Sequence, residues 1–238
     1  MPSPEPHAPE PLVLLPGMMC DARLFAPQVA ALSAERAVMV APIHHHDTTA
    51  ALADAVLAAA PARFALAGLS MGGIVAMEVV ARAPERVTRL ACLDTNGEAE
   101  TPEVAARRGP QMEKVAAGGL RAVMRDEMKP NYLADGPNRG AILDLCMAMA
   151  EALGPEAFAR QSRALRDRPE RRDALRAFPR PVLALCGAED ALCPVHRHET
   201  IAALAPDAAL VVLDGAGHLP TLERPDETTA ALRDWLAR

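Results

Sequence analysis

Aromatic residues and lysine are scarce in this chain. Its 238 residues include one Trp, one Tyr and four Phe, so the aromatic platforms on which single-stranded bases stack are largely absent. Only two of the 25 basic residues are Lys, and the formal net charge is −6 without an extended basic run. These absences argue against nucleic acid as a partner.

Long hydrophobic runs and paired cysteines are also missing. No segment reaches the roughly 18 apolar residues of a membrane span, so we expect no membrane partner. A Pro-rich leader at 1–10 lacks the apolar core of a signal peptide and is expected to be disordered. The five Cys are an odd number without a CxxC pair, which predicts a reducing, cytoplasmic location.

What the sequence does contain is an alternation of strand-like and helical patterns. Half of the residues are apolar, enough for one large core. Short apolar runs predict strands covered on both faces, at 12–15, 37–41, 64–69, 87–93, 182–186 and 209–213. Helical patterns lie between them, at 24–34, 48–60, 71–83, 195–205 and 226–237. The alternation predicts a mostly parallel six-stranded sheet with helices on both faces.

One interval, 95–178, has no strand pattern. It is rich in Ala, Leu, Met, Glu and Arg, which favour helix. We therefore predict a helical lid at 95–178, inserted into an α/β core made of 11–94 and 179–238. Four methionines of the interval fit either the lid core or a flexible acyl pocket: Met124, Met128, Met147 and Met149.

The clearest local motif is Gly-Leu-Ser-Met-Gly-Gly at 68–73, which follows an apolar strand and precedes an apolar helical run. This context is typical of a nucleophile elbow. Ser70 would occupy a strained turn that raises its hydroxyl above the end of the strand, next to a helix N-terminus that favours negative charge. The motif predicts that Ser70 is a catalytic nucleophile.

A serine nucleophile needs a base and an acid that orients the base. His218 follows the last strand in a Gly-rich loop, and Asp190 follows the fifth strand. All three residues then lie beyond the carboxyl ends of parallel strands, where sites of such sheets form. Asp94, which ends the fourth strand, and Glu189 are the competing candidates for the acid.

Two backbone N–H groups should stabilise the oxyanion. We assign them to Met71, directly after the nucleophile, and to Met18, in the loop after the first strand. The same loop and the loop after the base supply the predicted substrate contacts: Met19, Cys20 and Leu219.

Five segments carry a resemblance to α/β-hydrolase-fold proteins, in the order typical of that family. They are Leu-Leu-Pro-Gly at 14–17, the serine motif, Ala-Pro-Glu-Arg-Val at 83–87, the Gly187–Pro194 segment and Gly-His-Leu-Pro-Thr-Leu-Glu-Arg-Pro at 217–225. The resemblance runs from Leu12 to the C-terminus. Pro16-Gly17 stands where many members have His-Gly, and the usual N-terminal antiparallel strand pair is not evident.

The resemblance implies a serine hydrolase that cleaves a small carboxylic ester through an acyl-enzyme, without a cofactor. A serine nucleophile argues against the branches that use Asp, the haloalkane dehalogenases and epoxide hydrolases. Enol-lactone or lactone hydrolysis, thioester hydrolysis, C–C bond hydrolysis and cofactor-free haloperoxidation remain open with the same triad. So does a non-catalytic ligand-binding protein on this fold, and the oligomeric state is not predicted.

Two further patterns bear on ligands. We expect no metal site at His44-His45-His46-Asp47, which fits a solvated loop, or at Cys193, His196 and His198, whose spacing does not share a helix face. Residues 160–176 contain seven Arg and three acidic residues. They form either a solvated helix face or a landing site for an anionic substrate, with Arg163 and Arg166 as the test positions.

Overall fold

The computed structural model describes residues 9–238. The predicted disorder of the leader therefore falls outside the described residues, except for Pro9 and Glu10. Six strands form one sheet: β1 (Leu12–Leu15), β2 (Val38–Val40), β3 (Phe64–Leu69), β4 (Val87–Leu93), β5 (Val182–Gly187) and β6 (Ala208–Leu213). The strand order is β2-β1-β3-β4-β5-β6, and every pairing is parallel.

The helices outside the β4–β5 interval occupy both faces of the sheet. They are α1 (Ala26–Leu32), α2 (Thr49–Ala59), α3 (Met71–Arg82), α8 (Val195–Leu204), α9 (Pro220–Glu223) and α10 (Pro225–Ala237). Alternate residues of a strand point to opposite faces: Val13 of β1 packs in a cluster with α2, α3 and α8, whereas Leu14 packs in a second cluster with α1 and α10. The two-sided burial explains why the central strands are continuously apolar.

The two edge strands differ from this expectation. Every residue of β1, β3 and β5 is buried, whereas β2 is only half-buried and β6 alternates between half-buried and exposed positions. Leu210 and Val212 of β6 are exposed. The prediction that all six strands are covered on both faces is wrong for β2 and β6, which are the two edge strands of the sheet.

Helices alone fill the interval between β4 and β5. They are α4 (Pro102–Lys114), α5 (Leu120–Val123), α6 (Arg139–Arg166) and α7 (Arg172–Ala177), with π-helical turns at Val115–Gly119 and Met124–Met128 and a 3-10 turn at Lys129–Asn131. α6 is kinked at Gly154, where φ is 79°. Side chains of α6 join both apolar clusters, for example Phe158 and Met149. These helices therefore pack against the sheet domain.

The chain reverses direction across the sheet next to β1. From β1 it passes to β2 on one side, then returns to β3 on the other side. Such a switch point opens a crevice at the carboxyl ends of the two strands, where open α/β sheets bind ligands. Pro16-Gly17-Met18 follows β1 and Ser70 follows β3, so the fold brings the predicted oxyanion loop and the predicted nucleophile to one crevice.

Candidate active site

Ser70 occupies the turn between β3 and α3. Its φ is 55° and its ψ is −116°, a left-handed conformation that is strained for a residue with a side chain. Hydrogen bonds hold the turn from both sides: the Ser70 N–H donates to the Leu93 carbonyl over 2.8 Å, and the Thr95 hydroxyl donates to the Ser70 carbonyl over 2.7 Å. This is the strained turn that the motif predicts.

Glycine is required at two positions around this turn. A Cβ on Gly68 would lie 2.2 Å from the carbonyl oxygen of Gly72, and a Cβ on Gly72 would lie 2.0 Å from the carbonyl oxygen of Leu15. No side chain fits at either distance. The glycines thus allow the first turn of α3 to pack against the end of β1, which places Ser70 beside the loop that follows β1.

The three predicted triad side chains lie in one hydrogen-bonded row. Nε2 of His218 is 2.9 Å from Oγ of Ser70, and Nδ1 is 2.8 Å from Oδ2 of Asp190. The second oxygen of Asp190 accepts the backbone N–H groups of Leu192 and Cys193 over 2.8 and 3.0 Å. Burial alone would favour the neutral acid, but these hydrogen bonds and the contact with His218 lower the pKa of Asp190.

The competing acids occupy different environments. Asp94 is fully buried, with φ of 43°, and its Oδ1 accepts the Gly187 N–H over 3.0 Å. Burial, and then the neighbouring charge of Asp190, raise the pKa of Asp94 well above its ordinary range. Glu189 is exposed. The geometry therefore joins Asp190, and neither Asp94 nor Glu189, to His218.

A half-buried carboxylate, that of Glu223, holds the loop that carries His218. Glu223 accepts the N–H groups of Gly217 and Leu219, on both sides of the histidine, each over 3.0 Å. It also accepts the N–H of Ala134, in the segment between β4 and β5, over 2.8 Å. Three N–H donors on one carboxylate fix the backbone on both sides of the imidazole.

The loop after β1 lies against the nucleophile, as the oxyanion prediction requires. A Cβ on Gly17 would stand 3.6 Å from Cβ of Ser70. Within residues 9–238, the N–H groups of Met18 and Met71 donate to no protein acceptor. The next amide, that of Met19, donates to Oε1 of Gln161 over 2.8 Å. Met18 and Met71 thus retain free donors beside Ser70.

Gln161 of α6 links three parts of the chain and was not predicted. Its side chain is completely buried, accepts the Met19 N–H and donates to the Ile43 carbonyl over 3.0 Å. Met19 has φ of 56°, so the loop after β1 is itself strained. The Gln161 amide therefore supports the strained loop from the helical segment.

A second support reaches the nucleophile from α8. Nε2 of His198 accepts the N–H of Thr95 over 3.0 Å, and Thr95 in turn donates its hydroxyl to Ser70. Because Nε2 accepts a hydrogen bond, the ring is neutral. Burial lowers the pKa of His198 to about 4. His198 thus positions the backbone behind the nucleophile.

A cavity of about 270 Å³ opens above Ser70 and His218. Its wall includes the predicted substrate contacts Cys20 and Leu219, but Met19 does not line it, because its side chain packs into the core. Met128 lines the cavity, whereas Met124, Met147 and Met149 are buried among other apolar residues. The other apolar lining side chains are Met18, Leu69, Met71, Ile74, Ala99, Val104, Leu165 and Leu192.

Potential metal ligands meet at one place in the described part of the chain. Atoms of Asp190, Cys193 and His218 lie within 4.8 Å of one another. Two of these residues are already hydrogen-bonded to each other, and burial raises the pKa of the Cys193 thiol, which disfavours the thiolate that binds metals. The arrangement fits a proton-transfer row better than a metal centre. Cys20 also stays a thiol, because burial raises its pKa.

The Arg-rich segment turns mostly away from the cavity. Arg163 pairs with Asp47 and Arg166 with Asp167, both at exposed positions. The two test residues therefore form a solvated surface. Of the seven arginines, only Arg168 lines the cavity. It follows the end of α6 and donates to the Glu98 carbonyl and the Glu100 carboxylate.

At the carboxyl ends of the parallel strands, a serine is hydrogen-bonded to a histidine, which is hydrogen-bonded to a buried carboxylate. This arrangement defines the class of serine-nucleophile hydrolases. Residues 12–232 match the model of the "Alpha/beta hydrolase family". The chain belongs to this family. It is a hydrolase of the carboxylesterase type.

Similar proteins include esterases and a lactonase. A pimeloyl-[acyl-carrier protein] methyl ester esterase of Aromatoleum aromaticum is 31% identical over 199 residues, 79% of each chain. A thermophilic esterase of Thermogutta terrifontis superposes with a TM-score of 0.88 at 28% identity, covering 96% of this chain and 89% of that one. The enol-lactonase of Burkholderia xenovorans LB400 has a TM-score of 0.87 at 25% identity, covering 99% and 94%. Within residues 9–238, no helix is long and apolar enough to cross a membrane.

Proposed function

We propose that the protein hydrolyses the ester of a small carboxylic acid through an acyl-enzyme on Ser70. The observation that carries this proposal is the row in which Ser70 Oγ, both nitrogens of His218 and Asp190 Oδ2 follow one another at 2.9 and 2.8 Å. Each distance is within hydrogen-bond reach, which proton transfer requires.

Acylation begins when Nε2 of His218 takes the hydroxyl proton of Ser70. The oxygen attacks the ester carbonyl carbon, and the N–H groups of Met18 and Met71 stabilise the oxyanion that forms. Asp190 holds Nδ1–H, so that Nε2 is the free base, and stabilises the imidazolium. When the tetrahedral intermediate collapses, His218 returns the proton to the departing alkoxide, and the alcohol leaves.

Deacylation repeats these steps with water. His218 removes a proton from the water, whose oxygen attacks the acyl carbon under the same two N–H groups. Collapse breaks the bond to Ser70 Oγ, which takes the proton back from Nε2, and the carboxylic acid leaves. Every proton moves between the substrate, water, Ser70 and His218, so the cycle requires no cofactor.

A methyl ester is the substrate that the relatives favour. The A. aromaticum relative is named for a methyl ester, and the cavity here is small and largely apolar around Ser70. A small alcohol and an acyl chain of a few carbons fit that space. Lactone hydrolysis is the second candidate, because the structure resembles an enol-lactonase and ring opening needs the same attack.

The test measures product release from a matched panel of methyl hexanoate, a six-carbon lactone and a hexanoyl thioester. We expect kcat/KM for the methyl ester to exceed the other two by about tenfold or more, and Ser70→Ala to remove all three activities. Turnover of the lactone alone would replace the ester proposal with the second candidate.

A cytoplasmic location also remains our proposal. The five cysteines are all free and buried, and no pair is bridged. Free thiols are the usual state of cysteine in a reducing compartment.

A further inference from the structure

Charged side chains line part of the cavity above Ser70. Five charged side chains line it besides His218: Arg108, Arg168, Arg197, Glu98 and Glu100. Three guanidinium groups therefore face two carboxylates. The Asp190 carboxylate is turned toward His218 and does not line the cavity, so these five side chains carry a formal excess of one positive charge.

The excess is concentrated on two arginines that share one carboxylate. Glu100 accepts Nη2 of Arg108 over 2.7 Å and Nη1 of Arg168 over 2.8 Å, and Nε of Arg108 also donates to it. The side chains of Glu100, Arg168 and Arg108 are 4%, 9% and 13% exposed. A buried cluster of this composition leaves one charge without a counter-ion.

Each of the two guanidinium groups has an N–H donor with a weak acceptor or no acceptor among the described residues. Among residues 9–238, Nη1 of Arg108 donates only to the sulfur of Met18, at 3.8 Å, and a thioether is a weak acceptor. Arg168 donates through Nε and Nη1, and its Nη2 donates to no group in residues 9–238. Since both side chains line the cavity, a ligand oxygen has access to these donors.

Desolvation makes the arrangement costly unless an anion completes it. A buried charge without a partner is disfavoured. Burial lowers the pKa of Arg168, although the Glu100 charge acts in the opposite direction. Arginine nevertheless remains charged in proteins, so a second anionic acceptor would stabilise the pair of arginines. A carboxylate suits this role, because its two oxygens match the planar guanidinium group.

Arg108 lies close to the reacting centre as well. Its contact with Met18 places the guanidinium beside the residue whose N–H is the proposed oxyanion donor. Apolar side chains of Val104, Leu165 and Met128 line the same cavity. A substrate with an ester at one end, a short apolar chain and a charged group at the other end would match both parts of the wall.

We infer that Arg108 and Arg168 form a carboxylate-binding subsite, and that the preferred substrate is the half-ester of a dicarboxylic acid. The inference rests on the proposed ester hydrolysis and specifies its substrate class. The free carboxylate would bind Nη1 of Arg108 and Nη2 of Arg168 while Ser70 attacks the ester carbonyl at the other end of the chain.

The test compares monomethyl adipate with its neutral analogue, in which a carboxamide replaces the free carboxylate. Both esters have the same length, so their kcat/KM ratio isolates the charge. We expect the wild-type enzyme to prefer the anionic ester by about tenfold or more. Equal kcat/KM values with measurable turnover would overturn the subsite and leave ester hydrolysis standing. Absence of turnover for both would contradict the proposed function itself.

The second part of the test uses two variants, one that removes a positive charge from the subsite and one that removes a negative charge. Arg108→Gln should reduce the anion preference, which is the ratio of the two kcat/KM values, to near unity. Glu100→Gln removes the competing carboxylate and should raise the preference by about threefold or more. Arg166→Gln, a solvated arginine paired with Asp167, is the matched control and should leave the ratio unchanged.

The two variants also protect the test against misfolding. The wild-type ratio requires no substitution, and Glu100→Gln changes the ratio in the direction that damage to a site would not produce. If Arg108→Gln and Glu100→Gln are both folded and both keep the wild-type ratio, the assignment of the subsite to this cluster is wrong.

Discussion

The backbone N–H of His218 donates to the carbonyl oxygen of Tyr132 over 2.6 Å. Tyr132 belongs to the helical segment between β4 and β5, so the proposed base is hydrogen-bonded to that segment through its own backbone. Glu223 reinforces the link by accepting the N–H of Ala134 together with those of Gly217 and Leu219. The segment therefore takes part in positioning the imidazole as well as in walling the cavity.

Removal of the Glu223 charge tests this link. Glu223→Gln places an NH₂ group against one or more of the backbone N–H donors, so we expect kcat to fall about tenfold while KM changes little. The free energy of unfolding should fall by about 1–3 kcal/mol. Glu227→Gln, an exposed position on α10, is the control. Wild-type kcat in a folded Glu223→Gln variant would show that the hydrogen bonds to Glu223 do not orient His218.

The identity of the acid is tested by two matched amides. Asp190→Asn should lower kcat by about a thousandfold, because the amide favours the wrong tautomer of His218. Asp94→Asn should cost less than about tenfold, since burial raises the pKa of Asp94 and an amide resembles a neutral acid in shape. A larger loss of kcat in Asp94→Asn than in Asp190→Asn would identify Asp94, at the end of β4, as the acid.

The strained oxyanion loop should depend on Gln161. Gln161→Leu leaves the N–H of Met19 and the carbonyl of Ile43 buried without a partner, at a cost of about 1–3 kcal/mol each in unfolding free energy. We also expect kcat for ester hydrolysis to fall more than stability alone explains, because the N–H of Met18, the proposed oxyanion donor, belongs to this loop. Chemical denaturation and steady-state kinetics separate the two effects. A stable, fully active variant would contradict the role.

Because His198 is buried, we predict that the free energy of unfolding depends on pH. Its pKa is lowered from 6.5 to about 4 by burial, so the unfolded state binds more protons between these values. Stability is full above the unfolded pKa and declines as pH falls toward the folded one. Between pH 7.5 and 5 this residue should cost about 2 kcal/mol.

The measurement is the free energy of unfolding in urea at several pH values. His198→Gln can keep an acceptor for the Thr95 N–H but cannot titrate, so its loss of stability toward pH 5 should be about 2 kcal/mol smaller than that of wild type. His196→Gln, at an exposed position of the same helix, should keep the wild-type slope. Parallel curves for wild type and His198→Gln would exclude the burial effect.

Much of the fold is predictable because each strand and each elbow residue has a local signature. The six strand positions and the Gly-rich turn at Ser70 follow from apolar runs and glycine spacing, and the structure confirms a parallel sheet of six strands. The exposure of Leu210 and Val212 is not predictable in this way, because the order of strands in a sheet is a non-local property.

The supports of the site are less visible in the sequence. Gln161, His198 and Arg108 each act across 90 or more residues, so no local pattern marks them. Glu223 lies inside the Gly-His-Leu-Pro-Thr-Leu-Glu-Arg-Pro segment, and its distance of five residues from His218 is the one signal that could have indicated it. The composition of the Arg-rich segment indicated a possible anion site, but only Arg168 of that segment lines the cavity.

The central claim is that Ser70 is the nucleophile, and covalent labelling tests it most directly. A fluorophosphonate should add one equivalent to the folded wild-type protein, and peptide mass spectrometry should place it on Ser70. The Ser70→Ala variant should take no label and lose ester turnover while keeping its fold. A label on another residue, or ester turnover by Ser70→Ala within tenfold of wild type, would contradict the account.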